Sequence, residues 1–211
     1  MPIQASLGHQ FFQSIPIEPN TVVVENSSDL IYLHALSDYL KTKNRTGLDE
    51  NWSIFPGGSL QNTAIVTSLT NNEKKPIILT NVKEGEKHDI LTLAEQKLLD
   101  PEKLLLMTDF TTSSEAELED MFEPDFYLSL LKKAGIANLN VNQLPPGMRI
   151  VDRVSKVMGK PIKKLEPALQ LLQENNELSD LNEPTLSRFE TLFIKINSFL
   201  SMDHQAGGLD N

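Results

Sequence analysis

Apolar runs and polar breaks alternate through the first 130 residues in a strand-turn-helix rhythm. Thr21-Val22-Val23-Val24 is a run of β-prone residues and reads as a buried strand. Asn26, Ser27 and Ser28 are turn and cap types, so a helix is expected to start near Ser28. Leu30, Leu33, Leu36 and Leu40 then recur at three- and four-residue steps, and Lys41, Lys43, Arg45 and Gly47 mark the end of that helix. Trp52-Ser53-Ile54-Phe55 predicts a second strand. Pro56-Gly57-Gly58 predicts a tight turn and Ser59 a cap for a helix through Leu69. Ile77-Ile78-Leu79 predicts a third strand and Lys103 to Met107 a fourth, with a helix to about Leu99 between them.

Strands alternating with helices point to an α/β fold with a parallel four-stranded sheet flanked by helices. Beyond Gly135 the pattern changes. Residues 136–147 are rich in Asn and Pro and read as a linker. Arg149 to Gly159, Leu165 to Leu172 and a last helix opening at Asn182-Glu183-Pro184 form a C-terminal helical extension. The expected organisation is a lead-in over 1–20, an α/β domain over 21–135, the extension over 136–200 and a flexible tail over 201–211.

Composition narrows the chemistry. The 211 residues contain no cysteine, which excludes disulfides, thiolate chemistry and cysteine-zinc sites. No apolar run approaches the roughly 18 residues of a membrane span, and no basic stretch followed by an apolar run opens the chain. The expectation is a cytoplasmic protein with no membrane partner. Net charge is −10, so the chain as a whole repels nucleic acid. From Arg149 to Lys164, however, six bases stand against one acid. Arg149, Arg153, Lys156 and Lys160 share one helical face and are candidate phosphate contacts. An ordinary amphipathic helix with a basic outer side has the same pattern.

Two acids are placed for chemistry. Glu25 ends the first strand and Asp29 falls in the first turn of the following helix. In parallel sheets ligands bind beyond the C-terminal strand ends, and paired carboxylates there can hold a hard cation. An edge acid plus a helix-dipole charge gives the same spacing. Glu115, Glu117, Glu119 and Asp120 follow the fourth strand and either form a solvated face or reach the same mouth.

These residues resemble a known family. Val22-Val23-Val24-Glu25 with Asp29 is similar to the first motif of the Toprim domain, and the better match is to the Toprim half of the OLD-family (overcoming lysogenization defect) ATP-dependent endonucleases. Ser6-Leu7-Gly8-His9-Gln10 resembles its lead-in, Pro56-Gly57-Gly58 its glycine pair, and Glu119-Asp120-Met121-Phe122 with Phe126-Tyr127-Leu128 its acidic motif. Arg188-Phe189-Glu190-Thr191-Leu192-Phe193 with Ile196-Asn197 resembles its final helix. The resemblance implies a Toprim-like core and a metal-dependent DNA nuclease or nicking module working with a separate ATPase. Glu25 would be a ligand or general base, with Asp29, Glu119 and Asp120 as further ligands of Mg2+ or Mn2+.

Two departures qualify that. The family's Asp-x-Asp pair falls on Thr80-Asn81-Val82, so both aspartates are missing, and Asn26 stands where glycine is usual. No Gly-rich phosphate loop ending in Lys-Ser or Lys-Thr is found. The alternative is a catalytically degenerate Toprim-like protein that binds DNA or an ATPase partner, as a regulator or decoy in defence against phages and plasmids. An unrelated α/β domain with chance motif matches is the third reading.

Overall fold

The computed structural model describes residues 20–69, 75–83, 85–96, 98–173 and 177–206. Residues 1–19 of the expected lead-in, with its motif at residues 6–10, and residues 70–74 ahead of the third strand lie outside them.

Four short strands form one parallel sheet: β1 (Thr21–Val24), β2 (Ser53–Pro56), β3 (Ile77–Thr80) and β4 (Leu104–Leu106), in the order β2-β1-β3-β4. The central pair, β1 and β3, is buried along its whole length, which is why both read as unbroken apolar runs rather than alternating ones. Side chains of β3 still divide between the two faces. Ile77 and Leu79 join the main core, while Ile78 enters a smaller cluster with Leu60, Ala64, Ile90 and Leu99.

Helix α1 (Ser27–Thr42) follows β1 directly. Its Asn26 amide is capped by the Asp29 carboxylate at 2.8 Å. Helices α2 (Leu60–Leu69), α3 (Glu86–Glu95) and α4 (Pro124–Lys133) complete the α/β part. Gly57 is where the turn after β2 is pressed closest to β1. A Cβ there would lie 2.6 Å from Val23 Cγ1, and its amide already donates to Val24 O at 2.8 Å. Gly58, at φ +85°, takes the left-handed turn that glycine tolerates. The pair is therefore explained by close packing.

The extension comprises α5 (Ile150–Met158), α6 (Leu165–Leu169) and α7 (Glu183–Ala206). It does not stand apart. Residues from Val22 to Phe199 share one core, and α1 packs against both α6 and α7. The segment expected as a linker also sends Ala137 and Leu144 into that core. An aromatic row ties the halves together: Phe122 meets Tyr32 at 5.0 Å and Phe189 at 5.1 Å between ring centroids. Helix α7 runs to Ala206, six residues into the stretch expected as tail, and 207–211 lie outside the described residues.

The residues that resemble the family's final helix have structural partners. Glu190 accepts from Arg45 Nη2 at 2.7 Å and from the Thr46 amide at 2.9 Å. Asn197 accepts from the Asp49 amide at 3.0 Å and donates to Gly47 O at 2.9 Å. Phe189, Phe193 and Ile196 are fully buried. One face of α7 fills the core while the flank beside it clamps the α1–β2 loop.

Candidate functional site

Glu25 lies just beyond the C-terminal end of β1, as its position after the Val run requires. It is half-buried, and its Oε1 accepts from the Thr80 hydroxyl at 2.7 Å and from the Asn81 amide at 2.8 Å. Of the two positions expected to correspond to the missing aspartates, Thr80 thus sits beside Glu25, but it serves it as a donor. Val82 is different: its backbone pairs with Ala116 in both directions, and its side chain is wholly buried. That site is an apolar core position.

Asp29 turns back on its own helix start. It is buried, and it accepts from the Asn26 amide and, at 3.1 Å, from Asn26 Nδ2. Burial pushes its carboxyl up to about 7, and the neighbouring charge of Glu119 adds to the rise. Glu119 sits in a 3-10 turn (Leu118–Met121) with no exposure at all. Burial raises its carboxyl too, offset in part by Lys164.

The acidic run is therefore not a solvated face. Glu117 and Glu119 point inward and meet two cations from the extension. Lys164 Nζ lies 3.2 Å from Glu119 Oε2 and in shorter contact with Glu117. Arg149 reaches Glu117 and Asp152 by Nη1 and Nη2, with Nε 3.7 Å from Glu115. Burial works against the Lys164 charge, but Glu119 and Glu117 outweigh it and hold the ammonium above its ordinary value. Asp120 spends both oxygens on backbone. Oδ2 accepts from the Glu117 amide at 2.8 Å and Oδ1 from the Ile150 amide at 2.7 Å, which caps α5. Burial lifts its carboxyl to about 6.

Asp29, Glu117 and Glu119 thus share the Lys164 charge, Glu117 is also paired with Arg149, and Asp120 adds a further carboxyl beside Glu117 and Glu119. A buried cluster favours charge balance. A proton on Asp29, held up to about 7, contributes to it around neutral pH. Glu119 Oε1 and the hydroxyls of Tyr32 and Tyr127 are buried with no hydrogen-bond partner among the described residues; burial raises both phenols, followed by Glu119 at Tyr127 and by Tyr127 and then Glu119 at Tyr32. An unpartnered oxygen is costly there, and the Lys164 ammonium on Oε2 offsets part of that cost.

The predicted sites are therefore only partly brought together. Asp29, Glu119 and Asp120 share one buried neighbourhood, while the bonded partners of Glu25 are on the β3 side. The basic face also divides. Lys156 and Lys160 are exposed as expected. Arg149 is not: its side chain is 11% exposed, because the inward carboxylates draw it in. Arg153 is half-buried and donates from Nε to Pro145 O at 2.9 Å. The residue missed by sequence reasoning is Lys164. It was visible only as one base in a basic stretch, and nothing in its spacing marked it as the partner of acids about 45 positions earlier.

Among the described residues, no three His, Asp or Glu side chains have metal-holding geometry, and no helix is long and apolar enough to cross a membrane. No family model, no curated protein and no solved structure matches the chain.

Proposed function

We propose that this chain is a Toprim-like module of the OLD-family type that binds DNA beside a separate ATPase without cutting it. One observation carries the non-cutting reading: the Lys164 ammonium occupies the carboxylate cluster, bonded to Glu117 and Glu119. A divalent cation needs several charged oxygens with free lone pairs to offset its dehydration. Here Asp29 and Asp120 accept from backbone amides, Glu117 is held by Lys164 and Arg149, Glu119 by Lys164 through Oε2, and Thr80 and Val82 bring no charge. Mg2+ or Mn2+ does not fit this donor set unless Lys164 leaves it. The ammonium gives the cluster the neutralisation a metal would give, but it has no open coordination position and cannot activate water.

The Toprim-like assignment is supported by the parallel sheet and by Glu25 at the end of β1, adjacent to Thr80 and Asn81 at the end of β3. The metal-dependent nuclease is the second reading. What favours it is Glu25 itself, half-exposed at a sheet mouth with Oε2 unengaged among the described residues.

Purified protein assayed on supercoiled plasmid with Mg2+ and with Mn2+, beside a gel shift on the same DNA, separates them. The proposal expects retarded but intact plasmid. Metal-dependent nicking that is lost in Glu25→Ala would replace it with the nuclease.

A further inference from the structure

Two clefts meet at Arg153. One, of about 270 Å³, lies between the loop at Thr111 to Ser113, the start of α4, and Arg188 on α7. The other, of about 530 Å³, runs from the same residue towards Lys156 and Lys83. Both are lined by Met148 and Arg153.

Arg153 is held in place at this junction. Its Nε is fixed on Pro145 O at 2.9 Å, and its stem passes so near Gly147 that a Cβ there would lie 3.1 Å from Arg153 Cγ. Its Nη1 and Nη2 take no partner among the described residues, so a guanidinium fork is orientated with its outer donors free. That geometry suits bidentate recognition of an oxyanion.

The surroundings are donor-rich. Thr112 and Ser113 line the smaller cleft, where the Ser113 hydroxyl donates to Met148 Sδ at 3.3 Å and would turn from it to a ligand. Lys156, one turn along α5, and Lys83, just after β3, line the larger one, and neither is ion-paired among the described residues. The acids nearby are already engaged. Glu115 and Asp152 belong to Arg149, Glu123 to Arg188, Glu86 accepts from the Lys83 amide at 3.1 Å, and Asp120, which lines the smaller cleft, accepts from the Glu117 and Ile150 amides. In a chain of net charge −10, the two clefts are lined by five bases and five acids, and Arg153, Lys156 and Lys83 are the bases there without an ion pair among the described residues.

We propose that the two clefts form a phosphate-binding site, with the Arg153 fork, the Thr112 and Ser113 hydroxyls, Lys156 and Lys83 as donors to a phosphodiester or phosphomonoester. This rests on the DNA-binding part of the reading above and is independent of whether the carboxylate cluster is closed. Hydroxyls, a guanidinium fork and ammonium groups lining two adjoining clefts suit the several oxygens of a phosphate more than a single planar carboxylate.

The test is fluorescence anisotropy with a labelled single strand of about 12 nucleotides, over a salt series, with inorganic phosphate, AMP and a polyglutamate peptide as competitors. Arg153→Gln should weaken binding about tenfold and reduce the salt slope by about one. Arg153→Lys should fall between, since it keeps the charge and loses the fork. Lys132→Gln, an equal charge change on exposed α4, should leave binding as it was. If Arg153→Gln does not fold, Thr112→Val with Ser113→Ala should give a smaller loss in the same direction. Competition by AMP and phosphate would assign the site to small phosphates, and competition by strands alone to nucleic acid; each supports it. Strand binding unchanged in Arg153→Gln, or equally weakened in Lys132→Gln, or displaced equally by polyglutamate, would overturn this site and leave the DNA-binding reading in place. No binding of any phosphate probe by the folded wild type would overturn both.

Discussion

Lys164 Nζ lies 3.2 Å from Glu119 Oε2, and the glutamate side chain has no exposure to water. The lysine comes from the extension and the glutamate from the turn beneath the sheet mouth, so one pair both balances a buried charge and fastens the two parts of the chain together. An inserted ammonium is directional and fixed by covalent attachment to its own backbone. A hydrated metal can exchange; this cation stays tethered by its own side chain.

Removing that cation should be costly. Lys164→Met leaves Glu117 and Glu119 facing an apolar side chain, and breaking a buried pair from one side typically costs about 3–5 kcal/mol. Part of the loss should be recovered at low pH, where the glutamates take protons. Urea unfolding at two pH values measures both effects. Wild-type stability in Lys164→Met at neutral pH would mean the cluster does not depend on this residue.

The pH dependence has a definite sign. Folded Asp29 is held at about 7, above its ordinary value of 3.8, so the folded state binds this proton more tightly than the unfolded chain. The resulting stabilisation is complete below the ordinary value and is lost as pH rises through about 7. Asp120, held at about 6, acts in the same direction slightly lower. Glu190 is held below its ordinary value by Arg45, so its contribution is lost only under more acidic conditions and is constant in this window. The melting temperature should therefore fall between about pH 5 and pH 7, and Asp29→Asn should flatten part of that fall. A wild-type melting temperature that rises across the window would contradict the burial of these protons.

The β3 end resists restoration of the missing acids. Val82→Asp places a carboxylate at a fully buried position and should cost about 3 kcal/mol or more. Thr80→Asp is a different case. It removes the hydroxyl that donates to Glu25 and sets a like charge against it. Glu25→Gln should relieve it, with a coupling of about 1 kcal/mol in a double-mutant cycle. Additive effects of Thr80→Asp and Glu25→Gln would mean the two side chains do not face one another in solution.

Much of the fold was legible because its signals are local. The Val22–Val24 and Ile77–Leu79 runs, the Asn26 cap and the Pro56-Gly57-Gly58 turn each depend on near neighbours, and each element formed within a few residues of its expected place. The cluster was less legible. Glu117 and Glu119 look like solvent-facing acids until Arg149 and Lys164 fold over them, and that pairing spans 32 and 47 positions for Glu117 alone. The linker-like composition of 136–147 misled for the same reason: its few apolar residues matter only against a core built from distant segments.

The central claim is that the carboxylate cluster already holds its cation. Calorimetric titration of Mn2+ into the folded wild type tests it most directly. The account predicts no saturable heat up to on the order of 1 mM, the weak end of protein sites for hard cations. Stoichiometric Mn2+ binding well below that concentration, abolished by Glu119→Gln, would contradict it.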